Sequence, residues 1–394
     1  MTTLDVLCFG GEDWWYHNRA HIDMQLMRRF AKLGKTLYVN SIVMQKPSFK
    51  KATAGGKSLG HKIVRKTRSI MRGLQLSDAG FWVYSPLSLP VQHITSLRKV
   101  NEALMQRQLS RAVARIGLND PVIWVACPVA SKMATEMAPS KLVYQRTDKF
   151  EDYPNIDAET VRKCDMQLKA AADLTIFCSK SLYAEEESQC KKAVYVDHGV
   201  DFDAFAGAEK DPNVPPEMAS IPRPIVGFFG GIDSHTSNIA LVEQLVGLLP
   251  DMSFVFVGKE SADCSSFKSR ENVWMLGHKP YEQIPHYGKC FDVAIMPWRR
   301  NSWIEACNPI KFKEYLALGK PIVTTPFSQL AGHDNLLYQA RNPEQFAEQI
   351  RRAIAENNPD RIKARRQKVR SATWDSRAQQ VLNELYGMEK APKL

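Results

Sequence analysis

Two series of short β-branched runs, each alternating with helix-like segments, account for most of the 394-residue chain. Because strands separated by helices pair in parallel, each series predicts a doubly wound α/β domain. The predicted strands are Leu4–Phe9, Thr36–Val39, Phe81–Tyr84, Val122–Ala126, Leu142–Gln145, Leu174–Cys178, Ala193–Val196, Ile225–Phe229, Ser253–Val257, Val273–Leu276, Val293–Met296 and Pro321–Thr325. The sequence therefore predicts two Rossmann-like domains that face a central cleft, with ligands at the carboxyl ends of the strands.

A proline-rich stretch separates the two series, with five prolines between Pro212 and Pro224. Prolines at this density are typical of a linker. An amphipathic segment that begins at Trp374 predicts a terminal helix, which we expect to pack on one domain or to cross back to the first. The predicted divisions are 1–205 for the N-terminal domain, 206–224 for the linker, 225–371 for the C-terminal domain and 372–394 for the terminal helix.

Positive charge is concentrated in one part of the chain. Residues 41–115 contain 14 lysines and arginines against two acids, Asp78 and Glu102, so this segment has a net charge of +12. The whole chain has a formal net charge of +11. The surplus therefore belongs to the first domain and indicates an anionic surface or ligand at that place.

Within this segment, residues 57–72 combine six lysines and arginines with apolar side chains. Such a composition is typical of a surface helix that lies on an anionic membrane. A solvated basic face or loop is the simpler alternative. The sequence contains no recognised nucleic-acid-binding module, so we predict no nucleic-acid partner. Four cations are predicted to bind the membrane surface: Lys62, Arg65, Lys66 and Arg68.

The remaining composition restricts the cellular setting. Eight cysteines are scattered without a C-x-x-C pair, and no His, Cys and Asp set has zinc spacing. The sequence starts without a signal-peptide pattern, and no apolar run reaches the ~18 residues of a membrane-spanning helix. We therefore expect a cytoplasmic protein that lies peripherally on the inner face of the cell membrane, with reduced thiols, no metal and no cofactor.

A pair of glycines follows the first strand of each series, Gly10–Gly11 and Gly230–Gly231. Glycine lets the backbone approach a phosphate closely, and the helix that follows offers free amides. A tight turn from strand to helix explains either pair taken alone. Their equivalent positions in the two domains predict a bound diphosphate.

The segment NPIKFKEYLALGKP, which begins at Asn308, predicts a helix with an electropositive start. Pro309 suits the first turn, and the amides that follow it, including that of Ile310, remain free to donate hydrogen bonds. Lys311 adds a cation that is unfavourable at a helix start unless an anion neutralises it. Glu314 lies one turn further on and can accept two hydrogen bonds from a ribose diol. These features predict a site for the diphosphate of a nucleotide sugar; a surface Lys–Glu pair is the alternative.

These motifs resemble those of the GT-B glycosyltransferases, in particular the bacterial family 4-type enzymes of surface polysaccharide assembly. The resemblance in the second half rests on GVDFDAF (199–205), FFGGI (228–232), LGHKPYEQIPHY (276–287), DVAIMPW (292–298) and NPIKFKEYLALGKPIVTT (308–325). In the first half, YVN (38–40) and KLVYQRTDKF (141–150) are similar to that group. LVYQRTD together with DHGVD also resembles the membrane-associated glucuronosyltransferases of exopolysaccharide synthesis.

The resemblance implies a GT-B fold in which the second domain binds the donor and the first binds the acceptor. It implies that Glu314 binds the ribose, that Lys311 contacts the donor phosphate, and that the loop at His278 and Lys279 touches the base. The sequence departs from the family in two places. The loop after the second glycine pair reads GIDSHTSN and lacks the usual Arg and Lys, and Glu305 precedes Glu314 by nine residues rather than eight.

Asp148 follows the predicted strand Leu142–Gln145, at the carboxyl side of the first sheet. The glucuronosyltransferase-like segment implies that this acid is the general base that deprotonates an acceptor hydroxyl. A helix N-cap, or an ion pair with Arg146 or Lys149, explains it equally well.

The sequence therefore predicts a glycosyltransferase that moves a hexosyl or glucuronosyl unit from a nucleotide-sugar donor to an acceptor hydroxyl. We expect the acceptor to be a saccharide, and specifically a lipid-linked one used in surface polysaccharide synthesis. Two other classes remain open at this point. They are a nucleotide-sugar epimerase of GT-B-like fold and a non-catalytic relative that binds membranes or partners.

Overall fold

Two β-sheets organise the computed structural model, which describes residues 3–17, 19–42, 59–88, 95–153, 156–356 and 358–394. Each sheet is the centre of one compact unit. The first unit contains the described residues up to His198 together with Trp374–Leu394, and the second contains Gly199–Thr373.

The first unit is built on an eight-stranded sheet. Its strands are β1 (Val6–Phe9), β2 (Thr36–Val39), β3 (Gln75–Leu76), β4 (Trp82–Tyr84), β5 (Val122–Val125), β6 (Leu142–Arg146), β7 (Leu174–Phe177) and β8 (Ala193–Tyr195). Its helices are α1 (Ile22–Phe30), α2 (Leu59–Met71), α3 (Thr95–Ile116), α4 (Ser131–Glu136), α5 (Ala158–Ala171) and α6 (Lys180–Glu186). The strand order is β3-β4-β2-β1-β5-β6-β7-β8, parallel except for the β3–β4 pair.

The second unit is built on a six-stranded parallel sheet. Its strands are β9 (Ile225–Phe229), β10 (Ser253–Val257), β11 (Val273–Gly277), β12 (Val293–Met296), β13 (Ile322–Thr324) and β14 (Tyr338–Gln339), in the order β11-β10-β9-β12-β13-β14. Its helices are α7 (Phe202–Gly207), α8 (Pro216–Ala219), α9 (Ile239–Leu248), α10 (Ile284–Gly288), α11 (Ser302–Ala306), α12 (Ile310–Leu318), α13 (Pro343–Ile354) and α14 (Pro359–Val369).

The predicted α/β class with two parallel sheets is confirmed. The central strands β1 and β9 are buried along their whole length, as expected for parallel strands covered by helices on both faces. The sequence did not predict β3 and β14. Each has only two residues, which is too short for a period-2 pattern to be recognised.

The order of the strands places a crevice at one edge of each sheet. From β1 the chain continues to β2 on one side of the sheet, whereas β5, on the other side of β1, is followed by β6 still further out. The order of strands reverses in the same way between β9 and β12. In open α/β sheets, ligands bind at such reversals, outside the carboxyl ends of the strands. The residues that follow these strands are therefore candidates for a ligand site.

The last helix, α15 (Trp374–Tyr386), packs in the first unit, although the second unit precedes it in the chain. Trp374 is fully buried there, and the Asp375 carboxylate lies 3.2 Å from Lys32 Nζ and 3.5 Å from Arg29 Nε. The stretch 206–224, predicted as a linker, forms part of the second unit, where Glu217 of α8 bonds to Tyr287 of α10.

Candidate functional site

Helix α12 begins beside the carboxyl ends of β9 and β12. Pro309 is the N-cap of this helix, one residue earlier than predicted, and Ile310 is its first residue. The preceding residue, Asn308, is buried, and its Oδ1 accepts a hydrogen bond from Lys313 Nζ at 3.3 Å. Gly319 ends the helix in the left-handed conformation with φ +79°, as is common at helix C-termini.

Tyr315 fixes the position of α12 against the sheet. Its hydroxyl accepts a hydrogen bond of 3.0 Å from the amide of Phe229, the last residue of β9, and the two rings lie 4.4 Å apart. The first turn of α12 is therefore held next to Gly230 and Gly231, which continue the chain from β9.

Lys311 lies in this first turn, and its side chain passes next to Gly230. Its Nζ is 4.4 Å from the centroid of Phe228 and 5.4 Å from that of Trp298, which are cation–π contacts. A Cβ atom on Gly230 would lie 2.7 Å from that Nζ, and Gly230 has φ +129°. The backbone conformation therefore favours glycine at position 230, and a side chain there would displace the Lys311 ammonium.

The Lys311 ammonium has no ion pair among the residues that the structure describes. Burial lowers its pKa, and the charge of Asp233 opposes this change. The Asp233 carboxylate is itself occupied in a turn, where it accepts hydrogen bonds from the Thr236 hydroxyl at 2.7 Å and from the amides of His235 and Thr236 at 2.9 Å. The arrangement thus holds a partly buried cation that an anionic ligand would neutralise.

Glu314 lies one helical turn beyond Lys311 and is only 4% exposed. Its Oε1 makes no hydrogen bond in the described part of the chain. Burial raises the pKa of Glu314 to about 7, while Tyr281 and Lys311 act to lower it and Asp201 adds to the rise. An unused, buried carboxylate oxygen beside Lys311 is able to accept hydroxyl hydrogen bonds from a ligand.

The other predicted donor residues differ in their surroundings. Gly231 is exposed, and a Cβ atom there would meet nothing within 4 Å. His278 is exposed after β11. Lys279 Nζ instead lies 2.5 Å from Glu217 of α8 and over the Tyr287 ring. Contact of His278 and Lys279 with a base stays a prediction, and for Lys279 it would compete with an existing ion pair.

The sequence reasoning missed the two aromatic rings under Lys311. Trp298 is buried, stacks on Phe327 at 5.4 Å, and directly follows Pro297 after β12. An aromatic residue next to a strand is more often part of a core, so the sequence alone did not mark it. Its place immediately beyond a carboxyl end was the available signal.

In the first unit, Asp148 lies two residues beyond β6 and is half-buried. Its carboxylate has no hydrogen bond or ion pair with any described residue. Burial raises the pKa of Asp148 to about 6, against the lowering effects of His21 and Arg146. A carboxylate with this pKa is largely ionised at neutral pH and suited to accept a proton.

Neither structural alternative for Asp148 is formed, and the helical turn that follows, Phe150–Asp152, has Lys149 rather than Asp148 as its N-cap. Lys149 pairs with Glu185 at 3.4 Å, and the Arg146 guanidinium binds Glu151 and Glu186 at 2.9–3.0 Å. Because Lys149 and Arg146 are paired with other acids, neither forms an ion pair with the Asp148 carboxylate.

The Gly10–Gly11 turn has a different role from the second glycine pair. The Gly11 amide donates to Asp23 Oδ2 at 2.9 Å, and the Tyr38 hydroxyl donates to the same oxygen at 2.8 Å. A Cβ atom on Gly10 would lie 2.1 Å from the Tyr38 ring. The Gly11 amide is therefore already engaged by a buried carboxylate, which favours the tight-turn alternative, and diphosphate binding at Gly10–Gly11 stays a prediction.

Three of the four cations predicted at a membrane surface have described side chains, and these differ in their surroundings. Arg68 is exposed, whereas Lys66 is directed inward and donates to the Ser41 carbonyl oxygen at 3.1 Å. Arg65 lies over the Tyr16 ring at 4.6 Å. The side chain of Lys62 lies outside the described residues. None of the described helices is long and apolar enough to span a bilayer.

Comparison with known proteins finds similarity to glycosyltransferases. Residues 223–356 match the family model "Glycosyl transferases group 1". The putative teichuronic acid biosynthesis glycosyltransferase TuaH of Bacillus subtilis is 22% identical over 237 residues. That match spans 57% of this chain and 59% of TuaH, so the chain is aligned with about three-fifths of this curated relative.

Solved structures are similar over nearly the whole chain. The crystal structure of HepE from Anabaena in complex with UDP and glucose has a TM-score of 0.66 at 13% identity, covering 98% of this chain and 99% of that one. Sucrose-phosphate synthase from Thermosynechococcus elongatus has a TM-score of 0.69 at 13% identity, covering 97% and 98%. The chain thus has the GT-B fold, and its resemblance to GT-B glycosyltransferases is confirmed. The finer resemblance to glucuronosyltransferases stays a prediction.

Proposed function

We propose that this chain is a glycosyltransferase that moves a sugar from a nucleotide-sugar donor to an acceptor hydroxyl. One observation carries the proposal: a lysine without an ion pair in the described residues and a buried carboxylate with one unused oxygen lie one turn apart at the start of α12, beside a glycine pair at a sheet crevice. The match of residues 223–356 to a glycosyltransferase family supports this assignment for the same stretch of chain.

The donor that we propose is a uridine diphosphate sugar. The structurally similar HepE was solved with UDP and glucose and with UDP-glucose, which makes UDP the first nucleotide to test. Lys311 and the first amides of α12 would bind the diphosphate, and Glu314 would accept hydrogen bonds from the ribose. Negative charge develops on the departing diphosphate, so a fixed cation and helix start at this point would lower the barrier.

Asp148 is the general base in this proposal. It would take the proton of the acceptor hydroxyl as the hydroxyl oxygen bonds to the anomeric carbon. The bond from that carbon to the diphosphate then breaks, and the electron pair leaves with the nucleotide. The proposed transfer, as written, requires no metal and no cofactor.

The proposed acceptor is a lipid-linked saccharide in surface polysaccharide synthesis, reached from the cytoplasmic face of the membrane. The relationship to TuaH, named for teichuronic acid biosynthesis, supports a polysaccharide acceptor. Peripheral membrane association is supported by the local charge of the first domain and by the exposed apolar residues of α2, which include Ile63 and Met71.

The direct test is to incubate the full chain with a panel of radiolabelled nucleotide sugars, with and without membrane lipid extract. We expect nucleoside diphosphate to be released and sugar label to appear in the lipid fraction or, more slowly, as free sugar. The Lys311→Ala variant should lose this release, and Lys363→Ala, an exposed lysine on α14, should retain it. An epimerised nucleotide sugar without release would indicate an epimerase, and no turnover of any donor would indicate a non-catalytic relative.

A further inference from the structure

Helix α2 presents an apolar face to solvent and a polar face to the protein. Ile63 is 56% exposed, Val64 47% and Met71 81%. On the opposite side, the Ser69 hydroxyl donates to Asp13 Oδ2 at 2.7 Å. The helix is therefore anchored through its polar side, and these three apolar residues lie on the outside, where burial against another apolar phase would be favourable.

Arg65 of α2 and Arg72, the residue that follows this helix, lie on aromatic rings of the loop after β1. The Arg65 guanidinium is 4.6 Å from the Tyr16 centroid, and the Arg72 guanidinium is 5.3 Å from the same centroid and 4.8 Å from that of Trp15. Two like charges are thus held on one small aromatic platform. A guanidinium that is already oriented by a ring keeps its N–H donors available for a planar or tetrahedral anion.

What distinguishes these two arginines is the lack of a carboxylate partner. Three other arginines in the described ranges also lie over rings, and each of them is paired with an acid. The pairs are Arg19 with Asp78, Arg146 with Glu151 and Arg361 with Glu356. No ion pair or side-chain hydrogen bond is found for Arg65 or Arg72 within the part of the chain that the structure describes.

The acids nearest to this platform are occupied. Glu12 Oε2 is paired with His17 Nε2 at 3.0 Å, and Asp13 is bonded to Ser69. Burial raises the pKa of Glu12, and Arg65 is near enough to oppose that rise. The two guanidiniums therefore share one platform without an ion pair to an acid in the described part of the chain.

We propose that Arg65 and Arg72 bind the phosphate group of an anionic membrane phospholipid while Ile63, Val64 and Met71 enter the apolar boundary of the bilayer. This inference rests on the membrane association proposed above and assigns it to particular residues. The net charge of +12 over residues 41–115 provides the complementary field for an anionic surface.

Vesicle flotation of the full chain tests the proposal, with phosphatidylcholine alone and phosphatidylcholine mixed with phosphatidylglycerol. The chain should bind only the mixed vesicles, and Arg65→Gln/Arg72→Gln should weaken this binding about 30-fold. The matched control is Arg107→Gln/Arg115→Gln, which removes the same charge from exposed positions of α3. It should weaken binding less than about 3-fold. Equal losses in the two double variants would overturn the proposal, because they would show a diffuse charge effect.

Two further variants separate a phosphate site from its alternatives. Arg65→Lys/Arg72→Lys keeps both charges but loses the planar donors, and it should bind about 5-fold more weakly than the wild type. Unchanged binding of this variant would contradict phosphate coordination. Ile63→Ser/Met71→Ser should weaken binding about 10-fold. If it has no effect and inorganic diphosphate competes fully, the site takes a soluble phosphate and the membrane assignment is wrong.

Binding of UDP, measured on the same preparations, keeps this inference separate from the proposed function. All of these variants should bind UDP like the wild type, which also shows that they are folded. If the wild type binds mixed vesicles as expected but no nucleotide, the proposed transfer reaction fails and the lipid site stands. If it binds UDP but no vesicle, the reverse holds.

Discussion

Arg146 of the first unit is fully buried and Lys311 of the second is partly buried, and the two cations differ in whether an acid neutralises them. Arg146 is fully buried and lies within hydrogen-bond distance of Glu151 and Glu186, and Lys169 adds a second cation to the same cluster. Lys311 rests on Phe228 and Trp298 without an acid partner in the described part of the chain. The comparison teaches that a charge satisfied within its own unit maintains the fold, whereas an unsatisfied one marks a place for a ligand.

The largest effect on stability is expected at Arg146. Arg146→Met should lower the free energy of unfolding by about 3–5 kcal/mol, because it leaves buried carboxylates without their cation. Urea denaturation of the full chain measures this loss. Arg115→Met, at an exposed position of α3, is the control and should change stability by no more than about 0.5 kcal/mol. A loss at Arg146 as small as that of the control would mean that the cluster is not structural.

Asp148 extends the comparison to the carboxylates of the first unit, because it is unpaired whereas Glu186 is paired. Asp148→Asn should reduce sugar transfer by about 10²–10⁴-fold at saturating substrates, as expected for loss of a general base, without weakening UDP binding. The wild-type rate should fall as the pH drops through about 6, the pKa to which burial raises Asp148. Transfer at a near-normal rate in the variant would exclude Asp148 as the base.

Glu314 should make the free energy of unfolding depend on pH. Its pKa is raised from 4.5 to about 7, so the folded protein holds a proton that the unfolded chain releases. The stability contributed by this group is therefore complete below pH 4.5 and is lost as the pH rises towards 7. Urea denaturation at several pH values should show this decline, and Glu314→Gln should reduce it. A wild type whose stability rises over that interval by the same amount as the variant's would contradict the assignment.

A smaller effect is expected at Gly230, where a side chain would strain the backbone and meet the Lys311 ammonium. Gly230→Ala should displace Lys311 from its rings, because a Cβ atom would lie 2.7 Å from Nζ, and should weaken UDP binding about 10-fold. Gly231→Ala is the matched control, since its Cβ would meet no atom within 4 Å. Equal effects of the two substitutions would argue against contact between Lys311 and the nucleotide.

Residues whose role depends on local pattern were predictable from the sequence. The positions of Lys311 and Glu314 one turn apart at a helix start were predictable, because helix geometry fixes their separation and a proline marks the start; their contact with a ligand stays a prediction. The longer parallel strands were predictable because each is a β-branched run between helix-like segments. Residues whose role depends on distant partners were not predictable in the same way. Gly11 is engaged by Asp23, and Lys66 by the Ser41 carbonyl, through contacts that no spacing along the chain reveals.

Calorimetric titration of the full chain with uridine and with UDP tests the central assignment most directly. Lys311→Met should weaken UDP binding about 30-fold and leave uridine binding within about 2-fold, because the lysine is assigned to the diphosphate. Glu314→Gln should weaken both ligands by the same factor, because the carboxylate is assigned to the ribose, and Lys363→Met should change neither. UDP binding that is unaffected by Lys311→Met would contradict the assignment of α12 as the nucleotide site.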